Sequence, residues 1–161
     1  VDTSDVVGIF QSLREHGIRA WLDGGFCVEA LVDRPLRPHA DVDIAISRMH
    51  LPLFHRWCRD RGFLPIDRAG RSEDCFLVGR GSHRIDVHVF EYDAEGRNVS
   101  GIAYPWGSLT GSVQLGGELL DCVAPEWMLK FKTSYPPAAK DRLDVQALCA
   151  HFGWDVPPTH A

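Results

Sequence analysis

Two short stretches hold residue types from which a reaction centre can be built: Trp21-Leu-Asp-Gly-Gly-Phe26 and His39-Ala-Asp-Val-Asp-Ile44. In an extended strand residues i and i+2 share a face, about 7 Å apart at Cα, so Asp41 and Asp43 stand side by side. Further on, Arg84-Ile-Asp-Val-His88 alternates in the same way and puts Asp86 on a polar face, with Ile85, Val87 and Val89 on the other. Three carboxylates on neighbouring strands crowd together only if something neutralises them, because like charges in one site disfavour joint ionisation. A divalent cation is the usual answer. Magnesium prefers oxygen ligands, holds few carboxylates and takes its other positions from water and phosphates. A pair of such ions activates an attacking oxygen and stabilises a leaving one. Gly24-Gly25, just ahead of a helical pattern, supplies the complement, since a glycine turn lets backbone N–H groups approach phosphate oxygens at a helix N-terminus.

The elements that must position these groups are legible in the hydrophobic periodicity. Ser4 to His16 reads as an amphipathic helix, with caps at Thr3 or Ser4 and a stop at Gly17. Ile18 to Leu22 reads as a buried strand, broken by Gly24-Gly25 before Phe26 to Val32 resume a helix. Asp41 to Ile46 is a half-buried strand with an acidic face, Met49 to Arg61 a helix, and Phe63–Asp67, Asp74–Arg80 and Arg84–Tyr92 are strands. Asp93 to Gly117 reads as loops and short strands, and Glu118 to Val123 as one more strand. Pro125 opens a helix to about Tyr135, and Ala138 to Phe152 forms the last helix, with Leu143, Ala147, Leu148 and Phe152 turned inward. The expected fold is α/β (α+β): a mixed twisted sheet with helices mainly on one face, plus a short C-terminal helical unit. Residues 1–95 are expected to form the core and residues 96–161 an extension packed on it.

Composition bounds the function. The 161 residues carry 22 Asp and Glu against 17 Lys and Arg, a net charge of −5, which argues against binding that rests on a nucleic-acid backbone. A cationic small molecule is better received. Five scattered cysteines (Cys27, Cys58, Cys75, Cys122 and Cys149) with no CxxC suggest neither a disulfide framework nor a zinc site. No apolar run reaches the roughly 20 residues of a membrane helix, and no basic-then-apolar leader stands at the N-terminus. A cytoplasmic chain with no membrane or nucleic-acid partner, monomeric or homodimeric, is the expectation.

Gly24-Gly25, Asp41-x-Asp43 and the later Asp86 resemble the nucleotidyltransferase fold of the DNA polymerase beta superfamily. Around them, Trp21-Leu-Asp-Gly-Gly, Asp33-Arg-Pro-Leu-Arg-Pro-His39, Asp41-Val-Asp-Ile44, Pro125-Glu-Trp127 and Lys140-Asp141 through Asp144 resemble its small antibiotic-modifying branch, the aminoglycoside and lincosamide nucleotidyltransferases. The similarity runs from about Ile18 to Gly153. It implies transfer of a nucleoside monophosphate, AMP first, from a nucleoside triphosphate such as ATP to a hydroxyl of a small molecule, with pyrophosphate leaving. It also implies two Mg2+ ions, with Asp41 and Asp43 as metal ligands and Asp86 as a third ligand or as base on the acceptor hydroxyl. One departure is Ala124, where the branch often places Ser before Pro-Glu-Trp; a helix N-cap worth about 1 kcal/mol is lost.

The remaining candidates are weaker. Gly24, Gly25, Arg37, His39 and Lys140 are assigned to the triphosphate, although Arg37 and His39 serve equally well as partners of carboxylates. Glu91, Tyr104 and Trp127 are assigned to the acceptor, with Glu91, Asp93 and Glu95 as an acidic rim for ammonium groups. His88 is read as a packing or orienting histidine. Two rival readings keep the fold: a nucleotidyltransferase acting on a protein or RNA end, of toxin–antitoxin type, and a nucleotide-binding module without turnover.

Overall fold

A computed structural model describes residues 1–161. The chain folds as α1 (Thr3–Glu15), β1 (Ala20–Asp23), α2 (Gly24–Leu31), β2 (Val42–Ser47), α3 (Leu51–Arg61), β3 (Leu64–Ile66), β4 (Cys75–Arg80), β5 (His83–Tyr92), β6 (Asn98–Gly101), β7 (Gly111–Leu115), β8 (Glu118–Cys122), α4 (Pro125–Lys132) and α5 (Ala139–Phe152). One eight-stranded mixed sheet runs in the order β3-β4-β5-β2-β1-β8-β7, with β6 paired to β5. β2 lies antiparallel to β1 and parallel to β5, and β8 lies parallel to β1. Strands from the second half of the chain thus extend the same sheet that carries the aspartates.

Alternation sets the core. Ile85, Val87 and Val89 on β5 and Val42, Ile44 and Ile46 on β2 are fully buried, which leaves the opposite face of both strands free to carry polar groups. α1 contributes Val6, Ile9, Phe10 and Leu13, and α3 contributes Phe54, Trp57 and Cys58. The α1 cap is Asp2, not Thr3 or Ser4: its carboxylate accepts the Asp5 N–H at 3.0 Å while that of Asp5 accepts the Asp2 N–H at 2.9 Å, a reciprocal capping box. α3 stops at Gly62, whose φ of 72° is the left-handed conformation that closes helices.

Two expectations about the helices are corrected. α4 ends at Lys132, not Tyr135, because the Thr133 hydroxyl turns back on the Leu129 carbonyl at 2.9 Å and Pro136-Pro137 follows. Leu143 is 40% exposed, while Val145, Ala147 and Leu148 take the inward face of α5 together with two acidic residues, Asp141 and Asp144.

Ala124 stands at the α4 N-cap with no side chain to satisfy the first turn. Ala124→Ser is therefore expected to stabilise the protein by about 0.5–1 kcal/mol, a rise of roughly 1–4 °C in Tm. An unchanged or lower melting temperature would show that the buried position rejects the hydroxyl.

Candidate active site

β1, β2 and β5 are adjacent, and their registers align three aspartates in one row. Asp23 faces Asp43 across the β1–β2 pair, and Asp43 faces Asp86 across the β2–β5 pair. Asp41 stands two residues before Asp43, just outside β2. All four line a cleft of about 620 Å³, which Ile102, Tyr104, Met128, Phe131 and Tyr135 also line. A larger groove of about 1130 Å³, between α3 and the β3–β4 hairpin, carries none of these aspartates and meets the cleft only at Arg68.

The glycine pair is what lets this cleft close up. Gly24 has φ of 63°, and a Cβ there would fall on the Asp43 carboxylate; a Cβ on Gly25 would fall on the Arg37 guanidinium and the His39 ring. Gly24→Ala is expected to cost about 2 kcal/mol or more, from left-handed strain and the forced displacement of Asp43, and to impair turnover in proportion. A melting temperature equal to that of the parent would contradict this.

Asp23, which the sequence reading passed over, ties the site together. Its carboxylate caps α2 by accepting the Gly24 N–H at 2.7 Å, accepts the buried Tyr104 hydroxyl, and lies 3.4 Å from His88 Nδ1. The signal was present, since an Asp directly before a glycine-led helix is a preferred N-cap. Burial alone would raise its pKa, but the hydrogen bonds from His88, Tyr104 and Gly24 outweigh it and hold the carboxyl below its ordinary value.

Asp43 has the opposite balance. Burial comes first and, although His88 works against it, the neighbouring charges of Asp23, Asp41 and Asp86 add to it and push the Asp43 carboxyl up to about 7. Burial opposes charge on His88, yet the facing Asp23 and Cys75, with Asp43 close by, hold its imidazole well above the usual histidine range. Asp86 is clasped by Arg68 through two hydrogen bonds of 2.5 and 2.6 Å.

The other candidates separate into those at the cleft and those away from it. Arg37 and His39 line it but are engaged: Arg37 pairs with Asp144 at 3.1 Å, and His39 with Glu29 at 2.8 Å. Lys140 is exposed at the cleft, whereas Lys132, also at the cleft, is buried against Asp144 at 2.8 Å and Asp141 at 3.6 Å. Tyr104 lines the cleft with its hydroxyl given to Asp23. Glu91 does not line it: strand alternation turns it away from Asp86 and His88, toward Arg48 at 3.2 Å and Ser100 at 2.6 Å. Trp127 also lies off the cleft, packed on Phe131 with the Lys130 ammonium 4.2 Å from its ring centroid. The acidic rim is not free, because Asp93 and Glu95 both pair with Arg97.

A mixed sheet that gathers aspartates from three adjacent strands beside a glycine-opened helix is the architecture of a nucleotidyltransferase. The crystal structure of the lincosamide antibiotic adenylyltransferase LnuA with lincomycin bound matches with a TM-score of 0.78 at 18% identity, over 92% of this chain and 96% of that one. The chain belongs to the aminoglycoside-2''-adenylyltransferase family, whose model matches residues 5–148, and is an adenylyltransferase. ANT(2'')-Ia in complex with adenylyl-2''-tobramycin matches with a TM-score of 0.73 at 17% identity, over 94% of this chain and 89% of that one. An antigenic nucleotidyltransferase-like protein from Paracoccidioides brasiliensis matches at 0.59 and 18% identity, over 92% and 75%. No curated protein sequence matches the chain. No helix is long and apolar enough to cross a membrane.

Proposed function

We propose that the protein transfers AMP from ATP to a hydroxyl of a small antibiotic, an aminoglycoside or a lincosamide, releasing pyrophosphate. The observation that carries this reading is the row Asp23, Asp43 and Asp86, with Asp41 beside it, facing one cleft in a chain of this family. The donor set suits a hard dication. Of the cationic side chains that line the cleft only Arg68 and His88 pair with these four carboxylates, and neither Asp41 nor Asp43 takes part in an ion pair. Asp41 and Asp43 would hold magnesium, which leaves Asp86 for the acceptor hydroxyl. When bound, magnesium supplies charge neutralisation at the triphosphate.

The protein's own groups do the rest. Asp86, once Arg68 releases it, is placed to take the proton of the acceptor hydroxyl. The N-terminus of α2 at Gly24-Gly25 favours phosphate charge, although the Gly24 N–H is already given to Asp23. Lys140 at the rim is free to meet a phosphate oxygen. Arg37 and His39 act through their partners: they hold the loop that delivers Asp41 and Asp43. Fixed geometry and preorganised charge supply most of the rate. The apolar wall of Ile102, Met128 and Phe131 is where the body of the acceptor rests.

The test is pyrophosphate release from ATP with magnesium across a panel of aminoglycosides and lincosamides. Release that depends on one drug class establishes the reaction and names the acceptor. Absence of release with every drug, in protein that still binds ATP, would overturn it in favour of a macromolecular acceptor or a binding role.

Magnesium dependence should also carry the signature of Asp43. A ligand must be ionised to bind metal, and burial with the charges of Asp23, Asp41 and Asp86 pushes this carboxyl up to about 7. Below that pH protons compete, so the magnesium concentration for half-maximal turnover is expected to rise about fivefold from pH 7 to pH 6. Between pH 8 and pH 9 it should stay level. A half-saturation value independent of pH from 6 to 8 would contradict the role of Asp43.

A further inference from the structure

Cys75, Asp86 and His88 form a cluster that AMP transfer does not use as a unit. β4 and β5 are antiparallel and pair Cys75 directly with His88, so thiol and imidazole share a face, and Asp86, two residues away along β5, shares it too. One ligand atom from each of the three lies within 4.8 Å of the others, and His88 Nε2 is 3.6 Å from Asp86 Oδ1. The imidazole is fixed from behind, with Nδ1 3.1 Å from the Tyr104 hydroxyl and 3.4 Å from Asp23. Asp23 is the outer carboxylate which, at metal centres, orients a histidine and leaves Nε2 to ligate once the metal displaces the ring proton.

A thiol, an imidazole and a carboxylate are not a magnesium set, since magnesium takes oxygen ligands; they suit zinc and its chemical neighbours. Tetrahedral zinc, with bonds of about 2.0 Å to nitrogen and oxygen, holds such ligands roughly 3.4 Å apart. The His88–Asp86 separation is close to this already, and the thiol lies within 4.8 Å of both. A cation also stands there now: Arg68 Nη2 reaches Cys75 Sγ at 3.3 Å while the guanidinium clasps Asp86. Two of the three donors are therefore arranged around positive charge. Cys75 is the one cysteine of the five that is not buried.

We propose that Cys75, His88 and Asp86 form a binding site for a thiophilic divalent cation such as Zn2+, with three protein ligands and an open fourth position, filled in alternation with Arg68. Because Asp86 belongs to this cluster and to the transfer cleft, filling the site withdraws that carboxylate from the acceptor, and zinc inhibits the enzyme.

Cobalt(II) titrated into the reduced, full-length protein tests this without turnover, so the outcome is independent of the proposed transfer reaction. The expected result is one Co2+ per chain, with a thiolate-to-cobalt charge-transfer band in the near ultraviolet and intensified visible bands of a four-coordinate ion. Cys75→Ser should abolish the charge-transfer band, and Arg68→Gln, which removes the competitor, should tighten binding several-fold. No band in the parent protein, or a band that survives in Cys75→Ser, would overturn the site, and unchanged affinity in Arg68→Gln would overturn the alternation. A second reading needs no variant: Zn2+ should protect Cys75 from alkylation, located by peptide mass. Equal labelling with and without Zn2+ would overturn the proposal.

Discussion

Asp43→Asn is expected to lower turnover on the order of 10³-fold and, at the same time, to make the protein more stable above neutral pH. The loss follows from removing one of two carboxylates with no side-chain cation of their own. The gain follows from the same isolation. In the folded chain the Asp43 carboxyl is pushed up to about 7 by burial and by Asp23, Asp41 and Asp86, against an ordinary value of 3.8. Between these values the folded state binds more protons at this group than the unfolded state does. Stability therefore falls as pH rises through that window and levels off above it. Asn carries no charge and removes the penalty, so its advantage should be absent near pH 3.5 and reach roughly 1–3 kcal/mol by pH 8. Melting temperatures of both proteins at pH 5 and pH 8, with and without magnesium, check this. The gap should widen with pH and narrow when magnesium stabilises the parent. A gap that does not change with pH would remove the argument, as would normal activity in the variant.

This coexistence of strain and function explains which parts of the molecule were legible in the sequence. Local pattern sufficed for the elements: the alternation around Asp86 and around Asp43 requires only that apolar residues seek the core, and both strands are found within a residue or two of the expected bounds. The adjacency of Asp43 and Asp86 was expected from two alternating strands that each carry aspartate on the polar face, and the parallel β2–β5 pair delivers it. The place of Asp23 ahead of the glycine-led helix marks an N-cap in the sequence, but its part in the aspartate row comes from register, opposite Asp43 on an antiparallel neighbour, which no spacing along the chain shows. Glu91 was misjudged by neglecting the parity that had placed Asp86 and His88 correctly. The placement of the lysines was least legible. Lys132 follows Phe131 and Lys140 precedes Asp141 in sequence, and only tertiary packing buries the first and leaves the second at the rim.

Asp144→Ala is the change expected to cost most stability, about 3 kcal/mol or more, with a fall in Tm of roughly 6–12 °C. Asp144 on α5 is fully buried and accepts from Lys132 on α4 at 2.8 Å and from Arg37, 107 positions earlier in the chain, at 3.1 and 3.3 Å. Its removal strands two cations, of which Lys132 retains only Asp141 at 3.6 Å. Breaking one side of a buried ion network is costlier than replacing the network, because the uncompensated charge remains. The pair Lys132→Met with Asp144→Leu should therefore lose less stability than Asp144→Ala alone, as thermal unfolding would measure. If the double variant is the weaker of the two, packing and not charge is what Asp144 provides. The same network reaches the reaction centre, since Arg37 lies four residues before Asp41 and beside His39, against Gly25. Freed from Asp144, the loop no longer holds Asp41 and Asp43 at a fixed distance from the glycine turn. Loss of stability and weaker nucleotide binding should then appear together in Asp144→Ala, and the conservative change Asp144→Glu, whose carboxylate still reaches Arg37, should recover both together.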